Sequence, residues 1–193
     1  MNQSQHNKTS LFLMELIISI LFFSIAGAIC VRLFVGAHLM SEESIVINNS
    51  ILWTQNISEV FNGMHGNLHE IANFYSESSI VLVSYEDNPE IGTLVMFFTK
   101  DWEPIYYPTD DGALDDAAYE LMLCISQLPA SEVYSDTGVD NDSLIGDALL
   151  GQIQIQNMSD DTIIEAFAAE DDPSVITTQY IDYYVGLEAP YES

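Results

Sequence analysis

The sequence predicts an α+β protein, with one long N-terminal helix packed on a small antiparallel β-sheet. Three observations carry that prediction. Residues 11–35 form an apolar run whose only ionisable side chains are Glu15 and Arg32. Apolar residues then keep a helical spacing to about residue 62. From Ser79 the period shortens to two, and apolar runs alternate with turn residues.

Composition separates the chain into two electrostatic parts. The 193 residues hold 30 acids and 3 basic side chains. Residues 1–35 contain Lys8, Arg32 and Glu15, a net of +1; the remainder sets 29 acids against Lys100, a net of −28. Such a field repels nucleic acid and anionic lipid headgroups, so no nucleic-acid partner is expected for the chain by itself. It favours solubility and a counter-ion cloud, and suits partners that are basic or bring divalent metal. Cys30 and Cys124 fall in an apolar span and an apolar strand-like run, where they are badly placed to bridge each other.

Residues 1–10 are polar and read as a leader or an unordered cytoplasmic segment. Residues 11–35 follow as a transmembrane helix about 37 Å long, against a hydrocarbon core of about 30 Å. Lys8 precedes the span, and Arg32 can snorkel at its far end, which places the N-terminus inside and the acidic domain outside a cell membrane. Ala26, Gly27 and Ala28 also make a passable signal-peptide cleavage site, and that rival reading would release a secreted domain. Residues 36–62 continue the helix in amphipathic form, with Leu39, Val46, Ile47, Ile51, Leu52, Ile57, Val60 and Phe61 in phase. An unrelated juxtamembrane helix is the alternative there.

A carboxylate inside an apolar span is costly, so Glu15 calls for a partner or a task. The surrounding run, Ser10-Leu11-Phe12-Leu13-Met14-Glu15-Leu16-Ile17-Ile18, resembles the N-terminal segment of type IV prepilins and type II secretion pseudopilins. In that family a short basic leader ends in glycine, cleavage follows it, and the new N-terminal residue is methylated. The fifth mature residue is a glutamate. Lys8 stands in the leader here, Leu11 matches the first mature residue and Glu15 the fifth. Ser10 holds the place of the glycine. The resemblance covers residues 8–35 in detail and the rest only in layout. It implies a pilin-like fold, processing between Ser10 and Leu11 by a prepilin peptidase, and sibling pilin-like subunits as partners. It also implies that Glu15 meets the amino-terminal ammonium of a neighbour's Leu11.

Residues 63–193 read as an acidic extracytoplasmic sheet domain. Gly63 and Gly66 interrupt the helix, and Asn67 with Glu70 makes a capping-box-like start for a short one through Leu68, Ile71, Phe74 and Tyr75. His65 and His69 lack zinc spacing and are expected to face solvent. Residues 80–85 and 92–98 make a hairpin around a turn at 86–90. Trp102 is expected as a core or lid residue, and residues 105–108 as an edge strand or extended stretch. Residues 118–128 alternate, with Tyr119, Leu121, Leu123 and Ile125 on one side, and read as a strand with helix the alternative. Residues 130–147 are loop-like. Asp136, Asp140 and Asp142 offer oxygen ligands at nearly alternate positions around Gly138, chemistry that suits calcium, although the spacing is not that of an EF-hand. No other cofactor is suggested. Residues 148–156 alternate cleanly, residues 162–168 read as a second arm, and residues 175–185 as the last strand. The sheet is expected to hold five to seven strands, with one face packed under the helix and one face wet.

No glycine-rich phosphate loop, zincin, nucleophile-elbow or kinase signature occurs, and Lys100 alone could clamp an anion in this domain. No enzymatic activity is expected. The expectation is a structural subunit, a minor one, of a pilin-like filament or a secretion- or competence-type assembly. The alternative is a single-pass membrane-anchored binding module that forms no filament.

Overall fold

The structure is a computed structural model, and it describes residues 3–85, 88–106, 114–135, 144–158 and 167–186. Contacts divide the chain into two units, Met1–Val46 and Ile47–Ser193. Helix α1 (Gln3–Gly63) contributes to both. Its backbone is already helical at Gln3, within the polar stretch that the sequence alone leaves without order; once a helix is nucleated, each added residue is cheap.

The first unit consists of α1 alone. Its side chains from Leu11 to Ile45 are exposed except at Gly36, which is half-buried. Local contacts are helical ones, such as the 2.7 Å bond from Ser44 Oγ to the Met40 carbonyl and the His38–Glu42 pair at 3.4 Å.

In the second unit, residues 47–63 of α1 pack on a five-stranded sheet. The strands are β1 (Ile80–Tyr85), β2 (Asn88–Thr99), β3 (Ala117–Pro129), β4 (Asp147–Asn157) and β5 (Val175–Gly186). Their order is β1-β2-β3-β4-β5 and every pair is antiparallel, so the sheet is a meander. Helix α2 (Leu68–Tyr75) is capped as expected, with Asn67 Oδ1 accepting from the Glu70 amide at 3.0 Å.

The β2–β3–β4 register aligns Leu94, Leu123 and Ile153 across three strands, and Met96, Leu121 and Ile155 beside them. These residues are fully buried together with Ile57, Phe61, Leu68 and Ile71 of the helices. Polar contacts fix the helix along β5: Ser50 Oγ lies 2.9 Å from Thr177 Oγ1, and Gln179 Nε2 donates to Ser58 Oγ at 3.5 Å. Trp53 meets Phe98 at a ring separation of 4.6 Å, and Trp102 stacks on Tyr119 at 4.1 Å. Trp102 is therefore a core residue, held in a left-handed backbone conformation (φ 64°).

Gly151 explains how close Phe61 comes to the sheet. A Cβ there would stand 2.8 Å from Ile181 Cγ1 and 3.2 Å from Phe61 Cε2, so the strand needs glycine where the aromatic ring arrives.

The expectation of a wet second face needs correction. Val95, Phe97 and Met122 form a second buried cluster, packed by Ile80, Ile105, Leu114, Ala117, Met158 and Phe167. Gln154 and Gln156, polar positions of the alternation, are completely buried, as is Glu120. The cover comes from connecting segments. Ile105 donates its amide to the Phe97 carbonyl at 2.8 Å, and Met158 to the Ala118 carbonyl at 2.9 Å. Gln154 clasps the backbone of Ala168, donating to its carbonyl at 3.0 Å and accepting from its amide at 2.8 Å.

Three elements differ in smaller ways from the sequence pattern. β2 starts at Asn88, inside the expected turn. Ala130–Val133 forms a single helical turn, α3, at the start of the expected loop. The expected arm at 162–168 lies largely outside the described residues, and Phe167 and Ala168 are irregular.

Candidate functional site

The span 11–35 is apolar around its whole circumference and fully displayed. Exposure reaches 84% at Phe23 and 77% at Phe34. A helix apolar on every side is compatible with a membrane anchor or with packing among other helices. Among the described residues, α1 is the one helix long and apolar enough to cross a membrane.

Its polar groups are few and largely satisfied from within. Ser19 Oγ donates to the Glu15 carbonyl at 2.9 Å, and Ser24 Oγ donates to the Ile20 carbonyl at 2.8 Å. Such back-bonding satisfies each hydroxyl within the helix itself. Neither serine stands out in the sequence; the only signal for each is a helical carbonyl four residues earlier.

Glu15 is different. It is exposed, and the His38–Glu42 pair is the only ion pair among the described residues, so the Glu15 carboxylate has none. Leu11 lies one helical turn before it, 68% exposed, and Ser10 is part of the same continuous helix. Arg32 and Cys30 sit at the other end of the span, with Cys30 an exposed free thiol.

The other candidates among the described residues do not gather into a site. Asp136, Asp140 and Asp142 lie outside the described residues. No group of three metal-ligating side chains occurs among the described residues. His65 and His69 are exposed, and the His65 ring rests 5.2 Å from that of Tyr183. Lys100 shares a shallow cleft with Asp101, Glu103, Asp115 and Asp116, a surface of one cation among four acids.

Three tyrosines of the second unit are shifted above their ordinary range. Burial raises Tyr75, whose hydroxyl donates to Asn56 Oδ1. Burial also raises Tyr134, to about 12, helped by its hydrogen bond to Asp182 at 2.6 Å and by the charges of Asp182 and Tyr184. Tyr119 is raised by burial and by nearby Asp101. These shifts follow packing and neighbouring acids.

Comparison with protein-family models, with curated proteins and with solved structures returns no match.

Proposed function

We propose that the chain is a structural subunit, a minor one, of a pilin-like filament or secretion-type assembly. The span 11–35 holds it in a membrane before assembly and packs against sibling helices afterwards. The observation that carries this reading is one carboxylate, Glu15, set four residues after Leu11 in an apolar span whose only other ionisable side chain is Arg32, near its far end. Cleavage between Ser10 and Leu11 would create an ammonium able to meet Glu15 of a neighbour, and a charge pair is far cheaper among apolar helices than a lone carboxylate. The acidic sheet domain stays in water outside.

N-terminal and intact-mass analysis of the protein from its own host's membranes tests this. A chain starting at Leu11 and heavier by one methyl group supports a processed pilin-like subunit. A chain retaining residues 1–10 removes the partner amine. Ser10, where the family has glycine, favours that second reading: a single-pass anchored module whose acidic domain recruits a basic partner. A chain starting at Ile29 overturns both. In the first reading, Glu15→Val leaves membrane insertion intact and lowers co-isolation with sibling subunits; unchanged co-isolation excludes the role.

A further inference from the structure

Six of the eleven asparagines are followed two residues on by serine or threonine, with no proline between: Asn2, Asn7, Asn48, Asn56, Asn141 and Asn157. Serine and threonine number 28 in the 193 residues, so chance would place one after about one asparagine in seven. The pattern is the acceptor signal for N-linked glycosylation. We propose that Asn48, Asn56 and Asn157 carry glycans, an inference that rests on the acidic domain lying outside the membrane.

All three are exposed. Asn48 makes no side-chain hydrogen bond among the described residues. Asn56 uses only its Oδ1, as acceptor from Tyr75, which an N-linked sugar leaves in place. Asn157 Nδ2 reaches the Ser174 carbonyl only at 3.5 Å. Two asparagines outside the pattern have work in the fold: Asn67 caps α2, and Asn62 Nδ2 donates to the Ser58 carbonyl at 3.0 Å. Asn48, Leu52 and Asn56 follow one another at four-residue steps on one side of α1, so the two glycans flank Leu52, which is 53% exposed.

The donor is a lipid phosphate- or diphosphate-linked sugar, and the catalyst a membrane transferase. The asparagine nitrogen bonds to the anomeric carbon and gives up a proton to a base of the transferase. The bond from that carbon to the lipid phosphate breaks, and the phosphate leaves with its lipid. The order of events is constrained by the serines that complete the signals. Ser50 is buried with its hydroxyl 2.9 Å from Thr177 Oγ1 of β5, and Ser58 Oγ accepts from Gln179 Nε2 of β5 at 3.5 Å. Both hydroxyls are engaged once α1 docks on the sheet, so the sugar is added to the emerging chain before docking.

The test is peptide mass analysis of the full chain from its own host's membranes, alongside Asn48→Gln, Asn56→Gln and Asn157→Gln variants and external protease treatment of intact cells. The expected result is a sugar-bearing peptide at each of the three sites, an unmodified Asn7, and the loss of one glycan mass per variant. Bare asparagines at all three, in a domain that external protease still digests, overturn the glycans and leave the placement standing. Sugar on Asn7 with the other three bare overturns the glycan assignment and the orientation together.

Discussion

Phe61 is the residue on which the helix–sheet contact turns. Its ring fills the space left by two glycines, reaching within 3.2 Å of a Cβ placed on Gly151 and 3.1 Å of one placed on Gly66. Phe61→Ala opens a cavity and is expected to cost about 3–5 kcal/mol. Gly151→Ala overpacks the same site and is expected to cost about 1–3 kcal/mol. The two sites touch, so the Gly151→Ala penalty shrinks in the Phe61→Ala background, leaving the clash with Ile181. Denaturant unfolding of the four-member cycle measures this, and strict additivity would show that Phe61 does not set the approach. Tyr134 supplies a pH dependence at the same scale. Its pKa is raised to about 12, above the ordinary value of 10.0, so its contribution to stability is fully present below about pH 10 and is lost as pH rises toward 12. Tyr134→Phe removes that loss. Thermal melts of both proteins at neutral pH and above pH 10 check it: the parent should lose more melting temperature than the variant.

At the scale of elements, what the sequence made legible was local. Helix α1, the Asn67 cap, the β1–β2 hairpin and the inward side of β3 (Tyr119, Leu121, Leu123, Ile125) follow from periodicity within each stretch. The candidate span was legible for the same reason, since length, apolar composition and a single glutamate are visible without a fold. Glu15's partner was not, because it would come from another chain. The second buried face was also hidden. Gln154 looks like a solvent position until Ala168, 14 residues on, returns to it. Gln154 is thus a backbone substitute, holding an irregular segment to the sheet through two hydrogen bonds. Gln154→Leu keeps the volume but leaves the Ala168 amide and carbonyl without those bonds, an expected cost of about 1–3 kcal/mol. Hydrogen exchange at the Ala168 amide should quicken much more than at Leu123 in the core. Equal protection in parent and variant would mean that the apolar contacts of Phe167 alone hold the segment.

At the scale of the whole molecule, charge dominates. Residues 36–193 carry a net −28 with one lysine, and the described residues provide no network of ion pairs to offset it. Like charges so crowded oppose compaction, and the fold must rest on its two buried faces and on the counter-ions it gathers. Screening then becomes a stabilising agent. The Debye length falls from about 30 Å at 0.01 M salt to about 3 Å at 1 M, so repulsion between most pairs of surface acids is removed across that range. Melting temperature is expected to climb steadily with monovalent salt, with the steepest gain at low concentration. Sodium chloride and potassium chloride should act alike, because screening does not depend on the cation. Raising the pH above about 10 should restore a demand for salt, since ionising tyrosines add to the 30 acids already present. A scan of melting temperature against salt at neutral pH and at pH 11 measures both effects. A flat response would mean that the acids are spaced widely enough to ignore one another. A divalent cation acting at concentrations far below those of sodium would instead point to bound metal among the carboxylates.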